Sequence, residues 1–222
     1  MPAMPALPLI RLLCLCALPL AAHAAPPLEL RVTGRIVPDA CVPSFIGGGV
    51  VDYGVVPSSA LSAGSPTLLS RKSVGLNVSC AMPTSVGIRL LDNRTVMPTE
   101  GMVKTSLRPS TANDERYFGL KNDEGKAIGG YLLRFETGDN VTAPSLELSA
   151  DARQQGGAWR ARKDGMLFKD TLYTWSTDGR APARMQQMDA TLSVQAVIDG
   201  AAGGLRDDIP LDGSTTLELV YF

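Results

Sequence analysis

The chemistry open to this chain is limited first by its scarce residue types. It has one histidine, His23, and four cysteines, at positions 14, 16, 41 and 80. Imidazole is the usual general base, triad member and zinc ligand, so a lone histidine near the N-terminus leaves little to build with. The 22 Asp and Glu residues would supply a two-carboxylate glycosidase site by residue type, although carboxylates more often solvate turns and strand faces. No phosphate-cradling glycine motif of the Walker or dinucleotide type occurs.

The N-terminus removes more of this inventory. Arg11 precedes an apolar run, Leu12–Ala22, of signal-peptide length and too short to span a bilayer. Ala22-His23-Ala24 offers the small residues that signal peptidase reads. We expect cleavage after Ala24, with residues 1–24 a signal peptide and 25–222 a single exported domain. Cys14 and Cys16 leave with the leader, and each follows a leucine where lipid attachment wants a small residue. Cys41 and Cys80 stay. An even pair in an oxidising compartment reads as a disulfide. It would close a loop of about 40 residues, for roughly 4 kcal/mol in the chain-entropy model. Two buried free thiols are the alternative, and a metal pair finds no further ligands nearby. The expectation is a protein that is not an enzyme, with no cofactor and no metal.

Charge excludes other classes. Basic and acidic residues number 21 and 22, and loss of Arg11 makes the balance slightly more acidic. Nucleic acid and anionic membrane both demand clustered positive charge, so neither is expected as a partner. No later apolar run approaches the length of a transmembrane segment.

The elements that must position any site show period two. Leu28, Leu30, Val32, Gly34 and Ile36 alternate with Glu29, Arg31, Thr33 and Arg35. The same pattern returns at Val74–Cys80, Val86–Leu90, Tyr131–Phe135, Leu146–Leu148, Leu192–Ile198 and Leu217–Tyr221. Alternation of this kind places apolar side chains on one face of a sheet packed against a second layer. Turn formers separate the runs: Gly47-Gly48-Gly49, Asp92-Asn93, Asn122–Gly125, Asp178-Gly179 and Asp212-Gly213. The fold class expected is all-β, an antiparallel sandwich. The polar stretches Glu100–Arg116 and Asp151–Arg184 are expected as enlarged loops or extra hairpins, and as the place to seek a receptor contact.

Several of these segments together resemble the chaperone–usher pilins, the fimbrial subunits. Leu30–Cys41, LRVTGRIVPDAC, is similar to the pilin opening strand. Val51–Val56 with Ser58–Leu61 resembles the stretch after the first pilin cysteine, and Ser73–Cys80, SVGLNVSC, the strand bearing the second. Phe118–Leu132 looks like a pilin hairpin. Thr215–Phe222, TTLELVYF, has the pilin ending, with an aromatic next to last. The blocks cover about half of the chain expected after cleavage, and the closest likeness is to longer fimbrial-like exported proteins.

The resemblance implies an immunoglobulin-like sandwich lacking its last strand, a hydrophobic groove beside an unpaired edge, and completion of that edge by β-strand addition. A periplasmic chaperone would lend the strand, an usher would assemble the subunits, and another subunit's N-terminal extension would replace the chaperone. Leu217, Leu219 and Tyr221 would line the groove, with the Phe222 carboxylate held by the chaperone. Leu28, Leu30 and Val32 would be donor-strand residues, and Cys41 and Cys80 would staple two strands.

The implied setting is the periplasm, then the fimbrium at the cell surface, in cell adhesion, with a host or surface receptor as the further partner class. Only Ala25–Glu29, including Pro26-Pro27, precede the matched strand, and Ile209 stands where pilins usually carry a glycine. The subunit is therefore expected to accept a strand well and donate one weakly. The competing readings are a self-complete exported binding module, an adhesin or periplasmic accessory, and, more remotely, a carbohydrate-active enzyme.

Overall fold

The computed structural model describes residues 31–35, 40–102, 114, 117–136, 144–149, 157–200 and 208–222. The chain divides into an N-terminal unit, Met1–Val37, and a body, Pro38–Phe222. Within the first, residues 31–35 are exposed and carry neither helix nor strand. The expected leader, 1–24, and Leu28 and Leu30 lie outside the described residues.

The described body is all-β. Its strands are β1 Cys41–Ile46, β2 Thr67–Leu68, β3 Lys72–Thr84, β4 Val86–Asp92, β5 Phe118–Lys121, β6 Ala127–Phe135, β7 Leu146–Ser149, β8 Arg160–Ala161, β9 Met166–Leu167, β10 Thr171–Thr174, β11 Met185–Ile198 and β12 Thr215–Tyr221. One sheet runs β1-β3-β11-β6-β5, with β2 added to β11 and β9 to β6; the other runs β12-β4-β10-β7-β8. Every pairing between these strands is antiparallel. The expected antiparallel sandwich is present. A single residue, Ser85, separates β3 in the first sheet from β4 in the second.

Alternation places the core as expected. Leu76, Val78 and Cys80 of β3 face Val86, Ile88 and Leu90 of β4, joined by Tyr131, Leu133 and Phe135 of β6 and Leu192, Ala196 and Ile198 of β11. A smaller cluster sits apart, built from Met102, Tyr117, Leu132, Met166, Phe168 and Val197. Leu132 and Val197 belong to the opposite pleats of β6 and β11, so these strands bury both faces in part of their length.

Two expectations need correction. The opening strand is not Leu30–Cys41, because β1 begins at Cys41 and residues 31–35 have no strand. The β1–β3 register sets Cys41 opposite Cys80. Continued upstream, it would put Pro38 against Pro83, and neither has an amide to give the ladder.

The second correction concerns Asp151–Arg184. Beyond the expected loops or extra hairpins, its described part holds β8, β9 and β10, with β10 central in its sheet between β4 and β7, while residues 175–184 carry no strand. Met166, Leu167, Phe168, Leu172, Tyr173 and Trp175 are all buried there. Most of Glu100–Arg116 lies outside the described residues, although Met102 and Asp114 are buried.

Candidate functional site: an open cleft between two sheet edges

The strands β1 and β12 are the edges of their sheets on the same side of the sandwich, and among the described strands each has one partner, β3 and β4 respectively. They come together at one end. The Cys41 N–H donates to the Tyr221 hydroxyl at 2.9 Å, and that hydroxyl donates to the Cys41 carbonyl at 3.4 Å. Cys41 and Cys80 form the expected disulfide across β1 and β3 at this same end. Away from it the edges part around a cleft of about 930 Å³.

The walls are a strand and a coil. Leu217 and Thr215 of β12, with Ile209 and Leu211 just upstream, form one side. The other is Phe45 and the coil Val51–Pro57, which leaves β1 through Gly47-Gly48-Gly49, all three at positive φ. Glycine tolerates that left-handed backbone without strain. The floor is sandwich core: Leu90, Tyr131, Leu133, Leu192, Val194 and Ile198 all reach the cleft.

Tyr53 pins the coil. Its hydroxyl donates to the Val194 carbonyl at 3.1 Å and accepts from the Ala196 N–H at 3.2 Å. These groups of β11 lie between the end of its β3 ladder at Val194 and its pairing with β2, which begins at Val197. Burial raises the Tyr53 phenol above its ordinary value, against the bond from Ala196. On the floor, Tyr131 shares a 2.6 Å hydrogen bond with Thr215 of β12. Burial pushes its ionisation upward, and that bond offsets only part of the rise.

The hydrogen-bond phase of each edge follows from its ends. Asn93 N–H donates to the Ser214 carbonyl, and Phe222 N–H to the Ser85 carbonyl. With Leu217 opposite Leu90, the even-numbered residues of β12 bond to β4. In an antiparallel pair the intervening residues turn their N–H and C=O groups away. Thr215, Leu217, Leu219 and Tyr221 therefore offer backbone groups to the open side. The same alternation points their side chains toward the core.

The β1 edge is blunter. Ala81 N–H donates to the Ala40 carbonyl, so Cys41, Pro43 and Phe45 face outward. Cys41 is occupied by Tyr221, Pro43 has no N–H, and the Phe45 carbonyl accepts from Gly48 N–H. Proline and capped groups are how natural edges discourage pairing. β12 lacks both devices.

The sequence-derived site residues fall unevenly on this geometry. Leu217 lines the cleft, Leu219 packs on the core beside it, and Tyr221 ties its closed end. Phe222, half exposed, belongs to the opposite pleat, and its ring meets Trp159 edge-on at 5.4 Å. Val32 is 90% exposed. Tyr53 and Ile209 were not read from sequence as cleft residues, because neither lies in an alternating run. Among the described residues no group of three or more His, Cys, Asp or Glu could hold a metal. No described helix is long and apolar enough to cross a membrane.

Residues 30–131 match a family model described as a protein of unknown function, DUF1120. The chain is also similar to Protein GltF of Escherichia coli (strain K12), 28% identical over 87% of each chain. It is 28% identical to Uncharacterized protein YhcF of the same organism, over 91% of this chain and 93% of the relative.

Proposed function

We propose that this chain is a non-enzymatic, fimbrial subunit-like protein, exported to the periplasm and assembled at the cell surface in cell adhesion. A periplasmic chaperone and then a neighbouring subunit, delivered through an usher, supply a strand along β12. The observation that carries the reading is the phase of β12. Of the residues that leave N–H and C=O groups open, Thr215, Leu217, Leu219 and Tyr221, the first two line the cleft, Leu219 packs on the core beside it and Tyr221 ties its closed end. An incoming strand pairs those groups and covers the cleft lining at once. Each backbone hydrogen bond contributes about 1 kcal/mol net. Each apolar side chain it buries adds about 1.5–3 kcal/mol before ordering costs.

Periplasmic expression of the full chain with and without a strand-lending chaperone tests the reading. Co-purification with the chaperone is expected, lost when Thr215–Phe222 is deleted, together with aggregation or degradation when the chaperone is absent. A stable, chaperone-independent monomer would instead favour a self-complete binding module.

A further inference from the structure

We propose that the cleft, while no strand fills it, binds a single-chain amphiphile with a cationic head group, the alkyl chain on its floor and the head at its rim. This goes beyond the strand-addition reading and needs only that the cleft be open in the monomer. Part of the lining is suited to a ligand of this kind. Val51, Val56 and Leu61 come from the coil after β1, and Val74, Val194 and Ala196 from the first sheet. The coil Val51–Pro57 carries no strand, so this side presents apolar surface without a ladder to pair. An alkyl chain gains from burial and asks for no backbone hydrogen bond. The cleft volume of about 930 Å³ falls within the range of small-molecule sites, roughly 300–1,000 Å³.

Charge selects the head group. Among the described residues, the charged groups lining the cleft are Asp52, Asp123 and Asp208, all exposed, and no Lys or Arg lines it. The Asp52 carboxylate is held in place by the Gly54 N–H at 2.7 Å. A carboxylate or phosphate head emerging from the cleft would meet three like charges. An ammonium head meets three opposite ones. Such exposed charges discriminate between heads most strongly at low ionic strength, because salt screens them.

The test uses the disulfide-intact full chain as a refolded monomer at neutral pH. It is titrated by calorimetry with decyl- and dodecyltrimethylammonium below their micelle concentrations, and with decanoate and dodecanoate as anionic counterparts. The ammonium series should bind, tighter by roughly fourfold for each added methylene, and should shift the methyl resonances of Leu133, Val194 and Ile198 on the floor. The alkanoates should bind on the order of tenfold more weakly at low salt, and the gap should close as salt rises. Asp52→Asn together with Asp208→Asn, which leaves an acceptor for the Gly54 N–H, should remove most of that gap. Equal binding of ammonium and alkanoate by the unchanged chain, or a gap that survives both substitutions, would overturn the choice of a cationic head. Methyl shifts away from the cleft, or no binding by either series, would overturn the site. Capture of the chain by a strand-lending chaperone is a separate readout, so failure here leaves the strand-addition reading standing and its failure leaves this one.

Discussion

Between Arg160 and Thr174 the chain passes from one sheet to the other and back, β8 to β9 to β10, and so laces the β5 and β8 side of the sandwich shut. On the β1 and β12 side no described strand makes that crossing. The lacing is densely bonded. Arg162 N–H donates to the Ser145 carbonyl at 2.7 Å, and its guanidinium meets Glu147 at 3.0 Å and Asp164 at 2.6 Å while lying over the Phe168 ring. Burial works against that guanidinium, and Glu147 and Asp164 more than offset it, so its ionisation is raised. Gly165 sits at positive φ, where a Cβ would meet the Phe135 carbonyl at 2.1 Å. Across the open side the Tyr221 phenol sits on Cys41, Tyr131 bonds Thr215, and just upstream of β12 Asp212 exchanges backbone hydrogen bonds with Lys121 of β5. Closure of an edge here follows from where the chain crosses between sheets. Both sides are apolar, but among the described strands only those of the β5 and β8 side cross to cover it.

Substitutions should therefore separate stability from strand binding according to the side they strike. The largest stability loss is expected for Phe168→Ala, about 3–5 kcal/mol, measured by urea unfolding. Strand binding by the folded fraction should survive it. Loss of the Cys41–Cys80 bond should cost about 4 kcal/mol, seen as a fall in Tm on reduction or in Cys80→Ala. Because that bond holds β1, the open side should loosen first, seen as faster amide exchange in β1 than in β8–β10.

High pH should act on both sides. Burial pushes the Tyr173 phenol up to about 12, against its bond from Phe168 N–H, and it raises Tyr131 and Tyr53 too. The fold thus favours the neutral phenols. Their contribution is complete below the ordinary value of 10.0 and is lost as pH climbs through the folded values. Tyr173 alone accounts for roughly 3 kcal/mol at 1.36 kcal/mol per pKa unit. Stability monitored with phenolate absorbance should decline from about pH 10 upward, and Tyr173→Phe should flatten the decline.

The smallest stability effect is expected for Tyr221→Phe, about 1 kcal/mol for one lost hydrogen-bond partner. It frees the Cys41 end of the cleft, so strand insertion should go faster. Unchanged insertion kinetics would show that this tie does not hold the edges together.

Much of the open side was legible in the amino-acid sequence, because Leu217, Leu219 and Tyr221 and Val86, Ile88 and Leu90 recur at every second position. The closed side was not. All four residues of β10, Thr171–Thr174, are buried, so no period of two survives there, and β8 and β9 are two-residue strands that no periodicity can register. The start of β1 was misplaced for a related reason. Leu28–Ile36 alternates as a strand does, but alternation records a readiness to pair and says nothing of which backbone supplies the partner. Tyr53 was hidden because its role comes from a contact with Val194, 141 positions away along the chain.

Amide exchange along β12 in the isolated monomer tests the central claim most directly. The amides of Thr216, Glu218 and Val220, bonded to β4, should be protected, while those of Thr215, Leu217, Leu219 and Tyr221 exchange freely until a donor strand is added and then slow. Protection of both sets before any partner is present would mean that the cleft is already filled by its own chain, and the assembly account would be wrong.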